Sequence, residues 1–341
     1  MTVTVPVPQS SPRRLAPFWG ALRSLHRESL GFRFDYPLAT VSDAGPRTSL
    51  HYYIHSDRLF FDAMQFDAQG IPVHRTRTFG PTYNPAYVSW YGLVSLERNL
   101  LGLDPAGRAT CLRQVEWLVS HAERWERAGV VWPLNEKLIE GHCVLDPPWI
   151  SAMVQGLAIS LLIRGYRMTQ QPELLALCLA ATKVFELDVR EGGVRTWEDG
   201  HPLYEEYPGY PLPRVLDGFL FSLLGLYDLS AETGDGRATE LFRNGVDGLK
   251  HMLGFWNYRD KWSWYASREY LAPTHYNKLN AALLATVARL VDDLQLRRMA
   301  LAWDPPRRTL FGKAEIRLVY FLTKNLCRLR YRTWRQGRAA T

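Results

Sequence analysis

The sequence predicts a mainly α protein: an α/α toroid, or incomplete α/α barrel, with a small β-rich N-terminal portion and short β-hairpins near the site. Three observations predict it. From Asn84 onward apolar residues recur at helical spacing. Some of these helices are apolar on more than one face: in residues 219–229 the only non-aromatic polar side chains are Ser222 and Asp228, so this stretch must be enclosed by its neighbours. Links rich in Gly, Pro and aromatics (129–138, 190–211 and 255–270) separate the helices into pairs, which suits hairpins set around a centre. No motif recurs at a fixed period, so an exact-repeat solenoid is excluded.

Residues 1–45 are rich in Pro, Ser and Arg and read as loosely ordered. Within them, 13–27 form a short basic amphipathic stretch that packs on the body or lies on a membrane surface. Residues 46–80 hold short aromatic and apolar runs that read as a few strands. Residues 81–305 form the helical body, with stripes at Leu93–Leu101, Cys111–Val119 and Met153–Leu162 and further helices over 172–188, 214–231, 235–254 and 276–302. Residues 306–341 are a basic tail.

The 341 residues are ordinary in composition, which excludes disorder, and no apolar run approaches the roughly 20 residues that span a bilayer. The N-terminus lacks the apolar core of a secretory signal. Four scattered cysteines form no CxxC pair, so a reduced, cytoplasmic protein is expected, with the basic ends leaving membrane association open. The net charge of +7 is a property of the tail: ten basic residues and one acid follow Pro306, which leaves −2 for the rest. An acidic polysaccharide or an anionic membrane suits such a tail, and no nucleic-acid partner is expected. A homodimer is left open.

Candidate chemistry gathers in the links. Tyr204-Glu205-Glu206-Tyr207-Pro208 precedes the buried helix; on an extended segment its adjacent carboxylates face different ways, so at most one enters a site. Trp264-Tyr265-Ala266-Ser267-Arg268 and Thr274-His275-Tyr276-Asn277 follow. Aromatics in and beside the links, Trp149, Tyr204, Tyr265 and Tyr276 among them, offer flat faces for pyranose rings, and they share segments with charged side chains as core plugs need not. Nucleotide-binding, serine-hydrolase, zinc-protease and calcium-loop motifs are absent. His51 and His55 would sit about 13 Å apart on one strand, too far for a shared metal. No metal or other cofactor is expected.

The residues from Trp132 to Leu229 resemble the C-terminal domain of D-glucuronyl C5-epimerases, which convert glucuronate to iduronate within heparan sulfate or heparosan. Trp132-Pro133, residues 149–160, Tyr204–Pro208 and Val215–Leu229 carry the likeness in order and spacing, with Asn84-Pro85 and Tyr91-Gly92-Leu93 upstream. The resemblance implies an α/α barrel with an acidic, heparosan-like polymer in a cleft. It assigns catalytic roles to Tyr207 and Glu206, to Tyr265 and Arg268, and to a third tyrosine, Tyr276, with Tyr270 as its rival. Asn277 and Asn280 stand where the family has histidines. Substrate contacts are expected from Trp149, Gln155, Tyr204, Asn277 and Tyr91.

That implied activity poses a definite chemical problem. C5 of glucuronate lies α to a carboxylate whose charge opposes loss of the proton, so that charge must be neutralised as it grows; Arg268 is the cation expected to do so. A base on one face and an acid on the other then invert the centre. Tyr207 and Tyr265 are expected to flank opposite faces, or Tyr276 to replace one, with Glu206 orienting or shuttling the proton. The same carbanion would serve a uronate lyase by β-elimination, and a cleft without chemistry would make a polysaccharide-binding protein.

Overall fold

The computed structural model describes residues 39–40, 49–55, 64–76, 80–140, 142–304 and 309–338. Most of the stretch read as loosely ordered, including the amphipathic 13–27, lies outside them. Nine helices are described: α1 (Pro85–Leu100), α2 (Gly107–Ser120), α3 (Ala152–Thr169), α4 (Pro172–Ala181), α5 (Leu216–Thr233), α6 (Gly236–Trp256), α7 (Thr274–Leu290), α8 (Leu294–Ala302) and α9 (Leu310–Arg338).

The first eight pair as hairpins, α1 with α2, α3 with α4, α5 with α6 and α7 with α8. The first member of each pair is inner, and α1, α3, α5 and α7 pack side by side in that order. The result is an arc of a toroid rather than a closed barrel. This arrangement follows from the sequence: α3 and α5, neither of which has a polar face, occupy the middle of the arc, where neighbours cover them on both sides. The helix α6, with one apolar face, lies outside.

Each outer helix returns to the next inner one through small antiparallel hairpins: 123–125 with 129–131 and 138–140 with 143–145 before α3, 195–198 with 201–204 before α5, and 257–258, 262–265 and 270–271 before α7. All therefore stand at the N-terminal end of the inner helices. The expected β-rich start is present as short pairs, 39–40 with 54–55 and a three-stranded sheet of 65–66, 72–76 and 80–82.

The helices α3 and α5 pack backbone against backbone. A Cβ on Gly156 would meet the Phe221 carbonyl oxygen and the Ser222 Cα, each at 2.5 Å, and one on Gly225 would meet the Gly156 carbonyl at 2.3 Å. Gly156→Ala should force these backbones apart and cost about 1–3 kcal/mol, measurable as a lower urea midpoint at an unchanged slope.

Three boundaries differ from the expected ones. The stretch read as one helix over 276–302 is two, because Asp292 turns left-handed (φ 50°) and the Asp293 side chain caps α8 by accepting from the Leu296 N–H. The helix read over 172–188 ends at Ala181 and passes into a 3-10 turn at Lys183–Glu186. The basic tail is a docked helix, since Ile316, Tyr320 and Cys327 fall on one face of α9 and bury against the 262–271 hairpin.

At the opposite end of the arc from the hairpins, Arg164 of α3 and Asp228 of α5 form a buried ion pair. Asp228 also accepts from the Tyr53 hydroxyl and the Ser160 hydroxyl, each at 2.7 Å. Arg164 donates to the His51 carbonyl at 3.1 Å and stacks on the Tyr52 and Tyr53 rings. This cluster ties the N-terminal strand to the floor of the helical body. All four cysteines are buried thiols.

Candidate active site

The N-termini of all four inner helices converge on one cavity of about 300 Å³. Asn84, Ala86, Tyr87 and Trp90 come from α1 and its cap, Ser151, Met153 and Val154 from the start of α3, Asp217 and Phe221 from α5, and His275 and Tyr276 from α7. The hairpin links add Leu134, Glu136, Leu138, Trp149, Glu206 and Tyr207.

Helix starts present unpaired N–H groups and a positive dipole end. In α1 one donor is taken, since the Asn84 side chain accepts from the Ala86 N–H at 2.9 Å. No side chain caps α3, α5 or α7. Ser151 Oγ and Glu206 Oε2, buried atoms of two wall residues, have no hydrogen-bond partner within the protein. The cavity thus combines helix-start N–H groups with unsatisfied polar atoms, a setting that suits a hydroxyl-rich ligand, within a wall that also carries the carboxyl groups of Glu136, Glu206 and Asp217.

The carboxylates of Glu205 and Glu206 do point apart. Glu205 turns inward and is consumed structurally, accepting from Thr196 at 2.9 Å and from Arg214 at 2.7 Å; Arg214 also bridges to Glu198 at 2.7 Å. The backbone carbonyl of Glu205 accepts from the Ala152 N–H at 3.1 Å, which pins the link to the start of α3. Glu206 enters the cavity against Gly218, where a Cβ would lie 2.2 Å from its Oε2. Burial and the neighbouring Asp217 hold its pKa well above the usual carboxylate range, with the adjacent Tyr207 hydroxyl acting in the opposite direction. Asp217 is itself pushed up to about 6, chiefly by burial.

Tyr207 and Tyr276 line the cavity, and Tyr265 stands directly behind Tyr276 with ring centroids 5.2 Å apart. Burial pushes all three phenols well above 10, and the carboxylates around them add to the effect. Tyr270 stacks on the far side of Tyr265 at 5.0 Å and is outside the cavity wall. The structure therefore brings Tyr207, Glu206 and Tyr276 together, with Tyr265 beside them.

Arg268 is placed elsewhere. The hairpin turns through left-handed residues at Ala266 and Arg268, leaving the guanidinium exposed and stacked between Phe255 and Trp264, 5.8 and 5.7 Å from their ring centres. It is not part of the cavity wall.

Of the residues expected to contact substrate, Trp149 lines the cavity, with its indole held by an N–H···O bond of 2.8 Å to the Glu136 carbonyl and packed edge-on against Tyr207. The others are elsewhere. Gln155 is a core clamp, donating to the Val130 and Ala181 carbonyls and accepting from the Trp132 N–H. The Tyr204 hydroxyl donates to the Leu241 carbonyl at 2.8 Å inside the core. Asn277 accepts from Ser263 and donates to the Trp303 carbonyl, tying α7 to the last hairpin. Tyr91 rests on Phe66, outside the cavity wall.

Among the wall residues not singled out from sequence are Tyr87, Glu136, Asp217 and Trp90. Only Asp217 carried a signal, as an acid at the start of the predicted buried helix. His275 is half-buried, and burial lowers its pKa so that the ring is neutral at pH 7. Among the described residues no group of three His, Cys, Asp or Glu is placed to hold a metal ion.

The family model described as D-glucuronyl C5-epimerase C-terminus matches residues 127–305, just over half of the chain. A D-glucuronyl C5-epimerase of Caenorhabditis elegans is 34% identical over 206 residues, which cover 55% of this chain and 33% of that protein. An uncharacterized protein of Methanocaldococcus jannaschii is 27% identical over 177 residues, covering 48% of this chain and 56% of its own. The chain thus spans between a third and somewhat over half of the curated relatives it matches. It belongs to the D-glucuronyl C5-epimerase C-terminal family.

Proposed function

We propose that the chain inverts C5 of D-glucuronate to L-iduronate within a heparosan-like polymer, by removing the C5 proton on one face of the ring and returning one on the other. The observation that carries this reading is the meeting of four inner-helix N-termini with Glu206, Tyr207 and Tyr276 in one cavity. The helix starts take over the task that the sequence assigned to a guanidinium. Each favours a nearby anion by about 0.3–1 kcal/mol at the surface and by more when partly buried, and the field is fixed before charge moves onto the uronate oxygens.

Burial argues against a free phenolate as the resting base. The Glu206–Tyr207 pair solves this when it holds one negative charge: the Tyr207 proton passes to the Glu206 carboxylate, and the phenolate so formed takes the C5 proton. Tyr276, kept neutral by its high pKa, donates its hydroxyl proton to the opposite face, and Tyr265 supports it. Solvent exchange then resets both sides. Atoms and charge balance without a further reactant.

In this scheme activity rises as Glu206 loses its proton, so the acid limb of the pH profile belongs to the coupled Glu206–Asp217 pair. Removing the Asp217 charge lowers the pKa of Glu206. Asp217→Asn is therefore expected to move the acid limb of kcat/KM to lower pH by roughly one unit. An unmoved or upward-shifted limb would remove Glu206 from the base pair.

The direct test is incubation of heparosan with the protein in heavy water. Deuterium at C5 together with iduronate is the expected product. An unsaturated, ultraviolet-absorbing uronate with shortened chains identifies a lyase instead, and binding without exchange identifies a non-catalytic polysaccharide receptor.

A further inference from the structure

The cavity wall carries the carboxyl groups of Glu136, Glu206 and Asp217, and among the described residues it holds no lysine or arginine. A glucuronate entering it brings a further negative charge, so the sugar's carboxylate must be met by neutral donors. Tyr87 supplies one, and it has no part in the proton transfers. It is the third residue of α1, as Tyr276 is of α7, so the two phenols enter the cavity from the two ends of the arc. The pKa of Tyr276 is raised first by burial, then by Asp217 and Glu206, and also by Tyr87, which makes the two phenols neighbours. Burial raises the Tyr87 phenol too, and Glu136 and Glu206 add to the effect, so its hydroxyl keeps its proton near neutral pH and remains a donor. The residue is half-buried, which leaves part of it open to a ligand. Trp90, one turn on and in the same wall, adds an indole N–H that has no hydrogen-bond partner among the described residues.

We propose that Tyr87 is a substrate-binding residue whose hydroxyl donates to the carboxylate of the uronate being inverted. This rests on the reading that a uronate polymer occupies the cavity. The placement follows from the connectivity of the sugar. Its carboxyl carbon is bonded to C5, so a group that returns a proton to C5 lies beside the carboxylate, and a donor neighbouring Tyr276 is within reach of it. A hydrogen bond from a fixed neutral donor strengthens as charge moves onto the carboxylate oxygens, so the contact serves the proton removal as well as binding. A ring that merely filled the wall would do so equally well without its hydroxyl, and that difference separates the two roles by experiment.

The test titrates wild type and Tyr87→Phe with heparosan and with heparosan whose glucuronates have been reduced to glucose, and follows C5 exchange in heavy water on the same proteins. Loss of one hydrogen bond to a charged acceptor should weaken binding of heparosan by about 10–100-fold and of the reduced polymer by less than about threefold. The ratio of the two affinities is the readout, because a fold defect moves both alike. Equal losses on the two polymers, or none on either, overturn the contact, as does a wild type that binds the reduced polymer as tightly as heparosan. Exchange that persists beside an unmoved ratio sinks the contact and leaves the epimerase reading standing. Absent exchange beside a collapsed ratio sinks that reading and leaves the contact. A wild type that binds no heparosan overturns both.

Discussion

Tyr207→Phe is expected to reduce C5 hydrogen exchange by about 10²–10⁴-fold, the range for loss of a positioned acid or base. The substitution removes one oxygen from a ring already fixed edge-on against Trp149, so the fold should be undisturbed. Glu206→Gln should fall in the same range, because it deprives the phenol of its proton acceptor; the double variant should be little worse than either single one, as expected of residues that act as a unit. Arg268→Ala makes the contrasting case. Its guanidinium stacks on Phe255 and Trp264 outside the cavity, so the expected loss is less than about tenfold. Exchange rates for these variants in heavy water discriminate between the helix-terminus account of anion stabilisation and one built on Arg268. A severe loss on removing Arg268 with Tyr207→Phe nearly active would reverse the assignment.

The largest effect on stability is expected from Arg164→Met. It leaves the Asp228 carboxyl group enclosed, still holding the Tyr53 and Ser160 hydroxyls but without its cation. Breaking a buried pair from one side costs about 3–5 kcal/mol, because the remaining charge is left uncompensated. Replacing both partners, as in R164M/D228L, should recover much of the loss. Urea unfolding of wild type, both single variants and the double variant measures the coupling directly. The cost should appear in stability rather than in the chemistry, since the pair lies at the far end of α3 and α5 from the cavity.

Helical periodicity and the enclosed character of residues 219–229 made the toroid legible, and the Gly- and aromatic-rich links marked where the site would be. Individual roles were harder to read. An aromatic in a link can face the cleft or plug the joint between hairpin and helix. Trp132 donates to the Leu118 carbonyl and Trp262 to the Ala272 carbonyl; both are plugs, as are Tyr204 and Asn277. Which way each turns depends on hairpin register, and register is a tertiary property: pairing Tyr265 with Tyr270 across the strand is what leaves Arg268 at the exposed tip. Glu205 and Glu206 show the opposite case: alternation predicted that at most one of the two acids enters a site, and the resemblance pointed to Glu206. Asp217 escaped notice because an acid at a helix start has an ordinary explanation in the dipole.

Among the described residues the arc of inner helices ends at α1 and α7 without closing. On the function proposed above, an arc of this kind would let a linear glycan be laid in sideways at an internal sugar, with no need to thread a chain terminus through a ring. On such a template the modified units would be scattered along the polymer from the first turnovers, rather than advancing from one end.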